Sequence, residues 1–363
     1  MNICNRNFCV LCNENQKLLT MSNVIIPINT LGVLEEEQSQ CYDLKYGYCE
    51  KCYSVQIMTL LDPELLYGNN YALPNAKCYN WIQHNIGFVK FIISSLIPNT
   101  PIIEIGGSSF VIGKHLIHYY PDYTIFDYTL KDAVKIDNIK YTEGNCEEYN
   151  FASNSNIIMS HVFEHLYNPK KFLTNCKKNN VENIIIAVPN MNDVNNLFVF
   201  NQHTFLYNDI DIEYIFGNYG YKSITKKFFN TLDNSFPCMF FHFKLTNNIN
   251  IIKRPIILNR HLFTNNILKP IVIPEKTFIA TAGMNATIVY SIIENKQNIL
   301  GIIDSNNIIH GKYFCNSKHI VQSYEIIKNC NSDTNILVFG YRKNDITAMI
   351  KKINDNIKII LLY

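Results

Sequence analysis

Pro101-Ile102-Ile103-Glu104-Ile105-Gly106-Gly107-Ser108-Ser109 runs from a short apolar strand straight into a glycine turn. A strand this short and apolar belongs in a sheet covered by helices on both faces. Glycine at the turn lets the backbone approach a ligand, and the N–H groups that open the next helix face the same point. An α/β domain receives a nucleotide-like cofactor there. Glu104, Gly106, Gly107 and Ser108 are therefore candidate cofactor-binding residues. Asp127 ends the next strand, roughly twenty residues on, where a carboxylate can accept both hydroxyls of a ribose. Ser160 and His161 close the fourth strand and are expected on the floor of the same site. A dinucleotide fingerprint would need Gly-x-Gly-x-x-Gly, whereas Gly106 is followed by Ser108 and Val111, so a pyrophosphate fits poorly.

Outward from this turn, strands alternate with helices. Residues 123–127, 156–161, 183–189, 221–228 and 238–245 read as strands. Residues 78–96, 110–119, 168–178 and 209–219 read as helices. A second, smaller unit follows the polar stretch 246–253, with strands at 277–282, 298–304, 335–340 and 357–362. Its helices are expected at 286–294, 323–328 and 344–352. This alternation predicts an α/β fold with mostly parallel sheets in both units.

Ahead of the glycine turn stand two Cys-x-x-Cys pairs, Cys9/Cys12 and Cys49/Cys52. Thiolates at i and i+3 on a tight turn converge on one soft cation, and two such pairs supply a closed tetrahedral zinc site. Residues 1–61 lack helical periodicity and read as a small metal-nucleated module. The expected organisation is a zinc-binding module at 1–62, a cofactor domain at 63–248 and a Rossmann-like domain at 249–363.

The chain has 363 residues, 47% of them hydrophobic, enough for several cores. Its 32 basic and 30 acidic residues are interspersed, which disfavours nucleic acid as the main partner. No apolar run reaches the ~20 residues a membrane-spanning helix needs. The polar residues 1–8 carry no secretory signal core, so a cytoplasmic location with reduced thiols is expected.

Glu104-x-Gly106, the acidic Asp127 and Ser160-His161-Val162-Phe163-Glu164-His165, taken in order, resemble Rossmann-like methyltransferases. These bind S-adenosylmethionine, which has a ribose and no phosphate. With the cysteines in front, the chain resembles over nearly its whole length the zinc-containing C-methyltransferases of nucleotide-linked keto-deoxysugars. The segments that carry this are Cys9-Val10-Leu11-Cys12, Cys49-Glu50-Lys51-Cys52 with Tyr53-Ser54-Val55-Gln56-Ile57, and Val188-Pro189-Asn190. Gly283-Met284-Asn285-Ala286 and Ile302-Ile303-Asp304-Ser305-Asn306 add looser similarity.

The resemblance implies S-adenosylmethionine and zinc as cofactors and a nucleotide-linked sugar as substrate. In that family a keto group at sugar C4 acidifies the C3 proton, a base removes it, and the enolate carbon attacks the methyl sulfonium. The family's histidine lies in a segment resembling Tyr-His-Glu-His, which Phe200-Asn201-Gln202-His203 matches. His203 is thus the implied general base, with Gln202 beside it as an orienting residue. A tyrosine after the zinc module reaches the family's sugar pocket; Tyr71 matches it, with Tyr67 as the alternative. Phe110 stands where related turns carry a small residue, which implies a cleft narrowed on the methionine side. Phe200 and Gln202 lack the family's hydroxyl and charge. These departures leave open an O- or N-methyltransferase of a sugar or small metabolite, or a binding protein on the same fold.

Overall fold

The computed structural model describes residues 3–12, 16–28, 33–34, 40–67, 79–131, 133–191, 201–232, 236–246, 269–314, 317–339 and 343–362. Tyr71 and Phe200 lie outside the described residues.

The N-terminal part contains β1 (Ile3–Asn5), β2 (Leu18–Pro27), β3 (Val33–Leu34), β4 (Cys41–Cys49), β5 (Val55–Ile57) and β6 (Thr59–Leu61). Strands β2, β4 and β5 form an antiparallel sheet, and β1 pairs with β6. This sheet goes beyond the irregular module expected from the sequence. Its signal was available: in β4, Tyr42, Leu44 and Tyr46 point inward while Asp43 and Lys45 alternate with them.

The middle of the chain runs α1 (Pro63–Tyr67), α2 (Tyr79–Ser95), β7 (Ile102–Ile105), α3 (Gly113–Leu116), β8 (Tyr123–Asp127), β9 (Lys140–Glu143), β10 (Asn156–Ser160), α4 (Pro169–Lys178), β11 (Asn183–Pro189), α5 (Asp209–Asn218), β12 (Tyr221–Phe229) and β13 (Cys238–Leu245). The strands make one sheet in the order β12-β13-β11-β10-β7-β8-β9. All neighbours from β11 to β9 are parallel, and β13 is antiparallel to both β11 and β12. Strand order reverses between β7 and β10, which opens a crevice at their carboxyl ends. Local chemistry agrees with the helix limits. Asn168 caps α4 by accepting from the Lys171 N–H, with Pro169 next, and Asn208 with Asp211 forms a capping box on α5.

The last part has β14 (Thr277–Ala280), α6 (Met284–Ile292), β15 (Ile299–Asp304), β16 (Tyr313–Phe314), β17 (Val321–Ser323), β18 (Asn335–Phe339), α7 (Lys343–Ile353) and β19 (Lys358–Leu362). Its five-stranded parallel sheet has the order β17-β15-β14-β18-β19, a Rossmann-like reversal at β14/β18. The chain is thus a mixed α/β protein with two Rossmann-like sheets.

Strand side chains alternate between faces. In the middle sheet, Ile102, Ile125, Ile158, Ile185 and Phe240 pack under α2 and α3. Ile103, Ile157, Met159, Ile184, Ile186 and Phe241 pack on the other face, with Phe172 of α4 and Phe216 of α5. That second core also takes in Leu11, Leu18, Leu44, Tyr46, Val55 and Leu61 from the N-terminal part. The cysteine module therefore shares a core with the middle sheet.

Three expected elements differ. The helix expected over 110–119 shortens to α3, because Phe110 adopts a left-handed φ of 53° and turns the chain first. The segment at 323–328 is a 3-10 turn, Tyr324–Asn329, capped by Ser323. Edge strand β9 was not foreseen, since Lys140-Tyr141-Thr142-Glu143 has no buried residue to betray it. Among the described residues, no helix is long and apolar enough to cross a membrane.

Candidate cofactor cleft and cysteine cluster

A cavity of about 510 Å³ lies at the carboxyl ends of the middle strands. Its wall includes Glu104, Gly106, Ser108, Asp127, Ser160 and His161, six of the seven residues expected there. Gly107 is not on the wall. A Cβ at Gly107 would come within 2.7 Å of the Glu104 side chain, so that glycine makes room for the carboxylate instead.

The turn is built around that carboxylate. Glu104 is buried, and its Oε2 accepts the Tyr123 hydroxyl at 2.7 Å. Burial pushes its pKa up to about 7, with the Tyr123 hydrogen bond opposing. Gly106 has φ +77°, and a Cβ there would meet Val162 Cγ2 at 2.6 Å. Only glycine gives the chain both that conformation and that closeness. Asp127 Oδ2 accepts the Ser108 N–H at 3.1 Å, and Oδ1 accepts the Tyr128 N–H at 2.8 Å. Burial raises the Asp127 pKa, and these bonds oppose the rise while fixing the carboxylate. The carboxylate has acceptor capacity beyond these bonds for a ligand hydroxyl.

Phe110 does not narrow the cleft. It is absent from the wall and buried in the core under α2 and α3, its ring against Gly113, where a Cβ would meet it at 2.5 Å. The left-handed backbone at Phe110 directs the side chain inward.

The expected catalytic residues are distributed differently. His203 and Gln202 are both buried, and neither lines the cavity. Besides His161, the wall carries the imidazole of His165, whose ring centroid lies 5.2 Å from that of His203. Tyr67, the alternative to Tyr71, also lines the wall, and its hydroxyl is 2.9 Å from His165 Nδ1. Burial lowers the pKa of His165 and takes that of His203 well below the ordinary imidazole value, which favours the neutral form of both rings.

The four cysteines converge. Cys9 and Cys52 sulfurs are 3.5 Å apart, Cys12 and Cys49 sulfurs 3.6 Å, and all four lie within 4.8 Å of one another. Sulfurs about 2.3 Å from a tetrahedral zinc are separated by about 3.8 Å, so this donor set fits the ion. Cys9 Sγ also accepts from the N–H groups of Leu11 and Cys12 and from Gln56 Nε2 at 2.9 Å, as a thiolate ligand requires.

The cluster is tied to the segment that carries His203. Gln56 pairs through its backbone with Phe205, the Ile57 N–H donates to Thr204 O at 3.0 Å, and the Leu206 N–H donates to Val55 O at 2.8 Å. Arg6 adds bonds to Thr204 O and Tyr167 O at 2.6 and 2.7 Å. No sequence motif disclosed this strand-like pairing.

No protein-family model matches the chain, and no curated protein matches it. Several solved structures align with under half of it. One comes from the Haloferax volcanii complex of the Trm112 methyltransferase activator with a methyltransferase (10% identity, 46% of this chain and 92% of that chain, TM-score 0.40). Another is the N-methyltransferase NodS from Bradyrhizobium japonicum WM9 with S-adenosyl-L-homocysteine (10% identity, 46% and 88%, TM-score 0.38). A third is magnesium protoporphyrin IX methyltransferase from Synechocystis PCC 6803 with bound S-adenosyl-L-homocysteine (8% identity, 46% and 83%, TM-score 0.36). At this overlap and identity they bear on neither the activity nor the substrate of this chain.

Proposed function

We propose that the chain is an S-adenosylmethionine-dependent methyltransferase acting on a nucleotide-linked keto-deoxysugar. The observation that carries the first part is the cleft at the strand-order reversal, framed by Gly106 and Asp127. Its volume falls within the ~300–1,000 Å³ usual for small-molecule sites. Asp127 accepts the ribose hydroxyls, Gly106 allows the backbone to approach, and Ser160 and His161 form the floor. Cys9, Cys12, Cys49 and Cys52 hold a structural zinc. Residues 1–62, 63–248 and 249–363 serve as zinc module, donor domain and C-terminal domain.

The donor, when bound, supplies an electrophilic methyl on a sulfonium sulfur that leaves as a thioether. The sugar part of the proposal rests on the sequence resemblance and on the Tyr67–His165 pair facing the cavity. With Nδ1–H of His165 donated to the Tyr67 oxygen, its Nε2 lone pair takes the proton from carbon. The Tyr67 O–H then donates to the keto oxygen as that atom gains charge. His203 stands behind His165 as a positioning residue, and the general-base role assigned to it by sequence passes to the ring on the wall.

Solvent deuterium exchange into a nucleotide-linked 4-keto-deoxysugar tests this chemistry. The enzyme should wash deuterium into the carbon beside the ketone, and His165→Ala should slow exchange by about 10²–10⁴-fold. Methyl transfer without washout would favour the second reading, an O- or N-methyltransferase. The observation on that side is that neither His203 nor Gln202 lines the cavity.

A further inference from the structure

At the cleft floor lies a group of donors of which the proposed methyl transfer uses only His161, as part of that floor. His84 on α2, His161 just after β10 and Cys238 at the start of β13 bring three donor atoms within 4.8 Å of one another. His84 Nε2 is 3.3 Å from His161 Nε2, and Cys238 Sγ is 3.7 Å from the same His161 nitrogen. Ligands at about 2.05 Å for nitrogen and 2.3 Å for sulfur on a tetrahedral zinc are about 3.3 Å apart for N–N and about 3.6 Å for N–S. Both separations match.

The outer nitrogens are also occupied as ligation requires. His84 Nδ1 is 3.1 Å from Asn85 Oδ1, and His161 Nδ1 is 3.3 Å from Glu164 Oε1. A metal-bound imidazole characteristically donates its remote N–H to such an acceptor. Glu164 supplies an independent observation. Its carboxylate is fully buried, and apart from the His161 Nδ1 contact neither oxygen meets a side-chain hydrogen-bond donor among the described residues. A buried carboxylate with so few partners is costly, and a nearby cation lowers that cost. The charges close: one Cys238 thiolate and one Glu164 carboxylate balance a divalent ion. Around the donors stand Trp81, Phe236 and Phe240, an aromatic shell with ring centroids 4.8 to 5.6 Å from the imidazoles or from each other.

We propose that His84 Nε2, His161 Nε2 and Cys238 Sγ form a second metal site, separate from the four-cysteine cluster and taking zinc or another borderline divalent cation. Imidazole with thiolate excludes magnesium and calcium as the natural occupants, since those prefer oxygen donors. The ion ties α2, the end of β10 and the start of β13 together directly behind the cleft. Three protein ligands leave one tetrahedral position for water or a bound group.

The test is metal content of the full-length protein after equilibration with zinc and removal of excess ion. Wild type should hold about one more zinc per chain than His84→Gln or Cys238→Ala, a difference in which the four-cysteine cluster cancels. Zinc-edge X-ray absorption of the wild type should show nitrogen scatterers at about 2.0–2.1 Å alongside sulfur. An all-sulfur shell would overturn the proposal whether or not the variants fold. Equal zinc in wild type and a folded variant would overturn it too, leaving a metal-free chain of hydrogen bonds from Asn85 through both imidazoles to a protonated Glu164.

Discussion

At Gly106 the backbone occupies φ +77°, and any Cβ would press on Val162 at 2.6 Å. Gly106→Ala should therefore destabilise the protein by about 1–3 kcal/mol in urea unfolding, from left-handed strain and overpacking together. Two residues earlier, Glu104 makes stability depend on pH. Its folded pKa of about 7 lies above the ordinary 4.5, so the folded state holds the extra proton. The stabilisation is complete below pH 4.5 and is lost as pH rises through 7. Glu104→Gln should leave stability at pH 4.5 nearly unchanged and raise it by about 2–3 kcal/mol at pH 8. Equal pH slopes for variant and wild type would mean the carboxyl is already ionised. The placement of Gly106 and Asp127 on the cavity wall was legible from sequence because both stand at strand ends. His84, His161 and Cys238 were not, since 77 residues separate each from the next and only the sheet brings them together. His203 was chosen by a matching segment, and its ring lies 5.2 Å from that of His165, which lines the cavity where His203 does not.

Among elements, most strands of the middle and last sheets were readable because buried strands are continuous apolar runs. What escaped were elements fixed by pairing partners: the N-terminal antiparallel sheet, polar β9, and the run Thr204–Phe205–Leu206 laid against β5. That run joins the cysteine cluster to the His203 segment through the Ile57 and Leu206 amides. Hydrogen exchange should therefore slow together at residues 55–57 and 204–206. Removing metal with a chelator should speed both by tenfold or more, about 1.4 kcal/mol of lost local stability. Faster exchange at 55–57 alone would show that the pairing is not carried by the metal.

For the whole molecule, one core runs from the cysteine module through the sheet face covered by α4 and α5. The module thus shares the core of the middle sheet rather than standing apart from it, and α1, which follows the module, lines the cavity through Pro63 and Tyr67. Two Rossmann-like sheets repeat one device: Asp304 Oδ2 accepts the Ala282 N–H at 2.9 Å, as Asp127 accepts from Ser108. In the middle sheet this device borders the cavity, and there the account stands or fails. Isothermal calorimetry with S-adenosylhomocysteine tests it most directly. The account predicts saturable binding at about one ligand per chain, weakened at least about tenfold in a folded Asp127→Ala variant, equal to about 1.4 kcal/mol. No binding to the wild type, or unchanged affinity in that variant, would contradict it.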